Sequence, residues 1–579
     1  MRIGLLTEGG YPYVSGGAGL WCDRLVRGLD RHEFDVYAFS RSEAQEDAGW
    51  VPLPPQVGRV RTAPLWTAED DGVVYGRRAR RRFTEHYGEL AAVLCTAADP
   101  AAPGTVRAAA PGAHREPAGT ARPASEADRF ATALNGLAEL ARDEGGLVAA
   151  LRSETAVRAL ERACRAPRAL STAREARVPD LLAVAAHLEQ ALRPLSLDWY
   201  EEDGLGAVDL CHATAGGAAA LPGLLAHHFF GIPLLVTEYG VRLRTHYLTR
   251  PDSSPAVRSL LAAFHGRLAA ETYRRAAFIT PGNAHARRWQ ERCGADRAKL
   301  RTVHPGMDAA PFGEVGESPE SADPHTLVWV GRVEPAKDLV SLLHAFAEIR
   351  KEEPRTRLRI VGGPSGTEGA DYLGHCKALA AQLFPDEAEG PHSVGDNPVS
   401  FEEIGGPDLP TAADAYAAGA VVVLSSVVEG FPAGLVEAML CGRATVSTDV
   451  GAVVEAIGGT GLVVPPRNPR ALAEACVSLL RDPARRERLG AAARARALEL
   501  FTVEQNVAAF HSLYLEIVAR TPVRRLLLND DGDPLPFATP AEAHVPGHWT
   551  DRAPRAVPAW ATDAPVRATT PAPATEAAR

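Results

Sequence analysis

The chain has 579 residues, with 46% hydrophobic and 23% charged side chains, so it is too long for one core and predicts two large domains with smaller additions. Its formal net charge of −10 excludes a broad basic surface for nucleic acid. The eight cysteines are scattered without a Cys-x-x-Cys pair, which argues against a disulfide framework and a structural zinc site.

The first elements of the chain follow the order of a parallel α/β sheet. A buried-strand pattern at 3–6 leads into a glycine-rich loop, a helical pattern at 19–29 and a second strand at 34–39. The apolar run at the start is far shorter than a signal-peptide core, and no stretch approaches the ~20 apolar residues needed to cross a bilayer. We therefore expect a cytoplasmic protein that is free to make peripheral membrane contact.

A change of composition interrupts this series. Residues from about 96 to 125 are rich in Ala, Pro, Gly and Arg without periodicity, which predicts disorder. Helical patterns follow at 126–142, 146–165 and 180–192. We interpret residues 96–195 as an insertion in the first domain, partly disordered and partly helical.

Two series of strand patterns complete the organisation. The first resumes at 207–211, 233–237, 277–280 and 300–303, and the second comprises 326–330, 357–361, 399–402, 420–424, 444–447 and 461–464. Two successive α/β series predict two Rossmann-like, doubly wound domains, 1–322 and 323–500, facing each other across a cleft. We expect an amphipathic helix at 501–520 that crosses back to the first domain, and a disordered, Pro-rich tail at 521–579.

The strongest chemical signal lies in residues 425–439, where Glu429 and Glu437 are eight positions apart across a strand, a loop and a helix. Pro432 suits the helix start, because proline lacks the N–H that would be unpaired there. An anion could then approach the free amides of Ala433, Gly434 and Leu435. A surface loop charge and a solvated helix residue would explain either glutamate alone, but they do not explain the whole loop.

A second signal directly follows the strand at 326–330. Arg332 and Lys337 place a forked donor and a point charge on one loop, as a diphosphate requires. The alternative is a solvated basic pair beside Glu334 and Asp338. The spacing by itself leaves both interpretations open.

A third candidate is the loop after the first strand, in which Gly16 and Gly17 open a helix. Nine residues separate Leu6 from Gly16, too many for the tight turn of a dinucleotide fingerprint. A broader loop reaching over a phosphate fits this spacing, and a flexible surface turn is the alternative.

Together these segments resemble glycosyltransferase family 4, whose members are retaining enzymes of GT-B fold. The resemblance rests on the Glu-x7-Glu loop, Gly-Arg-x4-Lys, the Gly-Gly loop and Asp449-Val-Gly-Ala452. The stretch Leu-Thr-Glu-Gly-Gly-Tyr-Pro-Tyr-x-x-Gly-Gly-x-Gly-x-Trp and the segment Asp209-Leu-Cys-His-Ala-Thr more narrowly resemble the subgroup containing the Pel-polysaccharide glycosyltransferase. The similar residues fall within about 1–95 and 195–515.

The resemblance implies roles for individual residues. Arg332 and Lys337 would bind the donor diphosphate, Glu437 its ribose, and Glu429 the transferred hexose. His212 would lie beside the reacting sugar, with a core histidine as the alternative. The implied catalytic set is His212, Glu429, Arg332 and Lys337. The implied donor-binding set is Gly16, Gly17, Arg332, Lys337, Glu429, Gly430, Phe431, Pro432, Ala433, Gly434, Leu435 and Glu437.

The chain departs from the family pattern at two places. Thr237-Glu-Tyr-Gly240 carries Tyr239 where the subgroup has a histidine, and Pro305-Gly306 replaces an Asn-Gly pair. The resemblance also implies catalysis without metal or cofactor, in which the leaving phosphate assists attack on its own face of the sugar. Consistent with that expectation, Asp531-Gly-Asp533 lies in the Pro-rich tail and is interpreted as a solvated turn.

The resemblance therefore implies a hexosyltransferase that uses a nucleotide diphosphate sugar, with UDP-glucose as the expected donor. The acceptor would be a polysaccharide, a lipid-linked glycan or a small molecule. A glycosidase using Glu429 and Glu437 is disfavoured by the adjacent phosphate-binding loop. A non-catalytic nucleotide-sugar-binding protein of GT-B fold is the remaining alternative.

Overall fold

The computed structural model describes residues 1–13, 16–68, 71–96, 125–249, 253–317, 323–385, 397–406 and 409–523. These residues all belong to one compact unit, Met1–Val523. Most of the predicted disordered linker and nearly all of the predicted tail lie outside the described residues, as does Asp531-Gly-Asp533.

Residues of the first half form a six-stranded parallel sheet. Its strands are β1 Arg2–Glu8, β2 Glu33–Ser40, β3 Val57–Pro64, β4 Leu210–Ala213, β5 Leu234–Glu238 and β6 Phe278–Pro281. They are arranged in the order β3-β2-β1-β4-β5-β6. The chain therefore reverses its direction of winding between β1 and β4, and a crevice opens at the carboxyl ends of these two strands.

A second six-stranded parallel sheet repeats this topology. Its strands are β7 Asp323–Val330, β8 Arg357–Val361, β9 Val399–Glu402, β10 Gly419–Leu424, β11 Ala444–Thr448 and β12 Leu462–Val464. Their order, β12-β11-β10-β7-β8-β9, places the corresponding reversal between β7 and β10. The last strand of the first sheet ends at Pro281, and the first strand of the second sheet begins at Asp323. The domain limits 1–322 and 323–500 stay a prediction.

Helices cover both sheets. Those up to the end of the first sheet are α1 Gly16–Gly28, α2 Glu43–Asp47, α3 Arg77–Cys95, α4 Glu126–Glu144, α5 Leu147–Arg152, α6 Glu154–Arg165, α7 Ser171–Arg174, α8 Val178–Leu192, α9 Ala220–Phe230, α10 Arg242–Thr249, α11 Pro255–Arg275 and α12 Ala284–Arg292. The later ones are α13 Gly313–Glu317, α14 Leu339–Glu352, α15 Gly366–Leu383, α16 Ala412–Ala417, α17 Ala433–Leu440, α18 Val453–Ile457, α19 Pro469–Leu480, α20 Pro483–Leu500 and α21 Val503–Arg520.

Most strand predictions are confirmed to within a few residues, and the differences have local causes. β3 was not predicted, because its edge position leaves it half-buried and without a continuous apolar run. The segment 300–303 makes only an isolated bridge from Leu300 to Ile279. The single helix predicted at 146–165 divides at Ser153, whose hydroxyl accepts the N–H of Ala156 and caps a new helix.

The last helix, α21, packs on the first sheet. Phe510 and Tyr514 are wholly buried in one cluster with Ile3 of β1 and Trp21 of α1. Trp21 Nε1 also donates to Asn506 Oδ1 at 3.1 Å. The apolar face of α21 therefore supplies part of the core around β1 and α1.

The opposite face of the first sheet is covered by helices of the predicted insertion. Leu134 of α4, Leu160 of α6 and Leu188 of α8 are buried in one cluster with Tyr37 and Phe39 of β2. Within the part of the chain that the structure describes, no helix is both long and apolar enough to span a bilayer.

Candidate active site

Two loops meet at the reversal point of the second sheet. The loop after β7 and the loop after β10 are joined by a hydrogen bond from Val427 N to the Ala336 carbonyl at 2.9 Å. The Ser425 hydroxyl donates to the Lys337 carbonyl at 2.7 Å. Because each loop leaves the carboxyl end of a neighbouring strand, the sheet order places their side chains in one crevice.

An ion pair between these loops is the chemical centre of the site. Lys337 Nζ lies 2.6 Å from Glu429 Oε2, and their side chains are only 15% and 13% exposed. The Ser426 hydroxyl donates to the same oxygen at 3.0 Å. Both contacts therefore converge on the Oε2 atom of Glu429.

The end of β11 and the loop that follows it contact the backbone on both sides of Glu429. Thr448 Oγ1 donates to the Ser426 carbonyl at 2.6 Å, and Ala452 N donates to the Gly430 carbonyl at 3.1 Å. Gly451 has a φ of +57°, and a Cβ there would lie 2.3 Å from the Glu429 carbonyl oxygen. This close approach requires glycine and explains part of the quoted motif at 449–452.

Glu437 lies one turn into α17 and is half-buried. The Tyr416 hydroxyl donates to its Oε2 at 2.9 Å. Burial raises the pKa of Glu437 above its ordinary value, while the Tyr416 hydrogen bond and the Arg24 charge act in the opposite direction. Arg24 belongs to α1, so the charge that acts on this carboxylate comes from the first domain.

The start of α17 differs in detail from the prediction. Pro432 precedes the helix as its N-cap, and the N–H groups of Ala433 and Leu435 donate within the turn to Phe431 and Pro432 at 3.0 and 3.1 Å. The prediction of three free amides is therefore wrong for these two. Gly434 remains the amide that we expect an anion to approach.

Arg332 and Lys337 occupy different environments on their shared loop. The Arg332 side chain is 75% exposed, with Nη2 4.0 Å from Glu334 Oε1. Solvent screens such a pair, so Arg332 is free to turn towards a ligand. Asp338, next to Lys337, has a φ of +47°, and its carboxylate caps α14 through Ser341 N.

The first domain contributes the crevice at the end of β1 and β4. Gly16 and Gly17 form the first turn of α1, as predicted. Thr214, the residue after β4, is half-buried, and its N–H and hydroxyl both donate to the Leu6 carbonyl at 2.9 and 3.1 Å. Tyr239 packs edge-on against Trp21, with ring centroids 5.3 Å apart, and therefore faces the core formed by α1 and α21.

His212 does not lie in the crevice, which corrects its predicted place beside the reacting sugar. The side chain is wholly buried, with Nδ1 2.7 Å from the Tyr514 hydroxyl and Nε2 2.7 Å from Thr237 Oγ1. The strand was predicted at 207–211, but β4 begins at Leu210 and contains His212. The alternative interpretation, a core histidine, is the one that the structure supports.

This burial predicts a measurable pH dependence of stability. Burial lowers the pKa of His212 from 6.5 to about 3, whereas the unfolded residue takes up a proton near its ordinary value. The unfolding free energy should therefore fall as the pH drops through this window, by at most about 1.4 kcal/mol per pH unit from this group. Denaturant unfolding of wild type and His212→Gln at mildly alkaline and mildly acidic pH measures the effect. Equal pH dependence of the two proteins would contradict the assignment.

Among the residues that the structure describes, no group of three or more His, Cys, Asp or Glu side chains is arranged to hold a metal ion. The eight cysteines are all buried and lie in the described part of the chain.

Two family models match the chain, one in each half. Residues 1–298, just over half of the chain, match the family model described as a domain of unknown function, DUF3492. The chain belongs to the DUF3492 family. Residues 324–482 match the model described as glycosyl transferases group 1. The second sheet of this DUF3492 protein is therefore part of a group 1 glycosyl transferase domain.

A similar protein of named function agrees with this assignment. The D-inositol 3-phosphate glycosyltransferase of Kineococcus radiotolerans is 36% identical over 225 residues, which cover 35% of this chain and 49% of that protein. The chain thus spans about half the length of this relative.

Solved structures resemble the whole fold. Sucrose-phosphate synthase from Thermosynechococcus elongatus has a TM-score of 0.52 at 18% identity, over 90% of this chain and all of that one. Anabaena HepE in complex with UDP has a TM-score of 0.50 at 15% identity, over 89% of this chain and all of that one. The DUF3492 protein therefore has the GT-B fold, as predicted.

Several residues that build the site were not found from the sequence. Ser425 and Ser426 directly follow a buried strand, which was a usable signal, and Gly451 lay in a quoted motif without an assigned role. Arg24 and Tyr416 lie in unremarkable helical segments. Only the charge effect of Arg24 on Glu437 and the hydrogen bond from Tyr416 to Glu437 connect them to the site.

Proposed function

We propose that the chain is a retaining hexosyltransferase that uses a nucleotide diphosphate sugar without a metal ion. One observation carries the proposal: a partly buried lysine and glutamate pair joins two loops at the reversal point of the second sheet. A cation for phosphate and a carboxylate for hydroxyl groups are thus held side by side, as a phosphate-linked sugar requires.

Each residue has a proposed task. Lys337 and the mobile charge of Arg332 bind the diphosphate, assisted by the Gly434 amide. Glu429 Oε1 accepts hydrogen bonds from the hexose, and Glu437 accepts them from the ribose. The side of the donor that faces the first domain meets Gly16 and Gly17. The observed loops support these placements, and the family resemblance supplies the identity of each ligand group.

The proposed reaction breaks the bond between the anomeric carbon and the phosphate oxygen and forms a bond from that carbon to an acceptor hydroxyl. The hydroxyl proton passes to the leaving phosphate oxygen on the same face. Lys337 stabilises the charge that develops on the diphosphate. Glu429 is held by Lys337 and Ser426 at one oxygen, an arrangement that favours positioning of the sugar over nucleophilic attack.

UDP-glucose, or a closely similar UDP-hexose, is the donor that we propose. The resemblance to the subgroup containing the Pel-polysaccharide glycosyltransferase supports it, and a protein of this fold, Anabaena HepE, is known in complex with UDP. A thermal-shift panel of UDP, GDP and ADP should show stabilisation by UDP alone, because a ligand that binds only the folded state raises its unfolding temperature. Stabilisation by GDP or ADP without UDP would assign a different nucleobase.

Turnover separates an enzyme from a nucleotide-sugar-binding protein. Incubation of the full chain with UDP-glucose should release UDP slowly in water and faster with the correct acceptor, and nuclear magnetic resonance should show retention of the anomeric configuration. The Glu429→Gln variant should bind UDP but should form UDP from UDP-glucose far more slowly. Tight binding of UDP-glucose without any release, in wild type and with a broad acceptor mixture, would favour the non-catalytic alternative.

A further inference from the structure

A cavity of about 350 Å³ lies at the carboxyl edge of the first sheet, apart from the residues assigned to the donor. Glu8 at the end of β1 and Arg41 just after β2 form one side of it. The other side is formed by α8 and α11, and α8 belongs to the predicted insertion. The insertion therefore does more than cover the sheet, because its helix α8 also forms part of the wall of this cavity.

The charged side of the cavity carries an excess positive charge. Glu8 Oε1 lies 3.0 Å from Arg41 Nη2 and 3.7 Å from Arg242 Nη1, so two guanidinium groups share one carboxylate. The Glu8 side chain is 5% exposed, whereas those of Arg41 and Arg242 are 55% and 47% exposed. The arginines thus keep N–H groups for a ligand, while the carboxylate is covered.

This arrangement is supported by the backbone. Gly9 has a φ of +65°, and a Cβ there would lie 2.5 Å from Arg41 Cδ. The Arg41 side chain therefore lies directly across the chain at Gly9, a position that only glycine permits. The guanidinium group is in this way directed over the end of β1 towards Glu8.

The remaining walls are largely apolar with a few polar groups. Leu261, Phe264 and Leu268 of α11 face the cavity, and His187 and Gln190 of α8 supply polar atoms. A ligand that fits these walls combines an anionic group with a compact body bearing hydroxyl groups. Planar guanidinium groups bind both phosphate and carboxylate through paired hydrogen bonds.

We propose that this cavity binds the acceptor, and that the acceptor carries an oxyanion, either phosphate or carboxylate, held by Arg41 and Arg242. The inference rests on the proposed function, since it takes the donor to occupy the second sheet. It assigns to the first domain a selectivity for anionic sugars over neutral ones.

Calorimetry on the full chain tests the proposal with three probes: D-glucose 6-phosphate, D-glucuronate and D-glucose, each with and without UDP. We expect one or both anionic probes to bind at least about tenfold more tightly than glucose. The ratio between glucose 6-phosphate and glucuronate distinguishes phosphate from carboxylate. Equal affinity for all three, or no binding of either anionic probe at millimolar concentration, would overturn the proposal.

Two kinds of variant locate the probe. Arg41→Gln and Arg242→Gln should each weaken the anionic probe about tenfold and leave UDP affinity unchanged. Ala191→Phe, which places a ring at the wall contributed by α8, should block the probe without removing a charge. Arg470→Gln is the matched control, because Arg470 is an exposed arginine of α19 paired with Glu474. Unaltered probe affinity in all three cavity variants would show that binding occurs elsewhere.

The outcomes keep this inference separate from the proposed function. Normal UDP binding and turnover without preference for anionic probes would overturn the acceptor cavity alone. Failure of wild type to bind any nucleotide or nucleotide sugar, with anionic probes still bound through Arg41 and Arg242, would overturn the transferase proposal and leave an anion site.

Discussion

Replacing Lys337 by methionine should weaken UDP binding by on the order of 1.5–3 kcal/mol, because it removes a charge-assisted contact to the diphosphate. Turnover of the nucleotide sugar should fall further, by about 10²–10³-fold, since the developing phosphate charge loses its partner. Methionine keeps much of the side-chain volume, which limits packing effects. Calorimetry with UDP and steady-state kinetics measure the two effects separately.

A variant of Glu429, the ion-pair partner of Lys337, and a matched control complete this experiment. Glu429→Gln should spare UDP affinity more than Lys337→Met does, because the carboxylate is assigned to the hexose and not to the phosphates. Lys351→Met is the control: Lys351 lies on α14, is 68% exposed and pairs with Glu348 at 2.7 Å. UDP affinity in Lys337→Met that equals the affinity in Lys351→Met would remove the diphosphate assignment.

Replacing Phe510 by alanine should destabilise the protein by about 3–5 kcal/mol, because the ring is wholly buried and its removal leaves a cavity. Its centroid lies 5.2 Å from the ring of His212 and 5.6 Å from that of Trp21, so it joins α21 to both β4 and α1. Such a loss is a large part of the stability of an ordinary domain. Denaturant unfolding measures it.

Control and truncation variants test the same helix. Gln505→Ala, an exposed change on α21, should alter stability by no more than about 0.5 kcal/mol. Truncation after Leu500 should give insoluble or inactive protein, whereas truncation after Arg520 should preserve donor turnover. Retained turnover without the helix, or lost turnover on removal of the tail alone, would show that this role of α21 is wrong.

The donor loop explains why α21 should affect activity as well as stability. Phe431 of that loop contacts Phe501, with ring centroids 5.7 Å apart, and Phe501 lies between α20 and α21. Phe501 in turn contacts His304, whose carbonyl accepts Asn506 Nδ2 at 2.6 Å. A partly folded variant that retains α20 but loosens α21 should therefore also lose the geometry of the donor loop.

The sequence by itself determined the two α/β series and the loops that carry Arg332, Lys337, Glu429 and Glu437. These are local properties: buried strands are continuous apolar runs, helices have a 3.6-residue period, and glycine and proline mark the turns between them. For the same reason β3 was missed, since an edge strand has no continuous apolar run.

Only the tertiary structure decided which of these residues meet. The order of strands in a sheet is not a local property of the sequence, and it brings Lys337 to Glu429, 92 positions away. The effect of the Arg24 charge on Glu437 likewise joins residues from different sheets of the fold. β4 continues to Ala213, so His212 lies within the strand, and its side chain points to the face covered by α21 and not into the crevice. The cavity beside Arg41 and Arg242 likewise depends on where the insertion helices pack, and no local pattern specifies that.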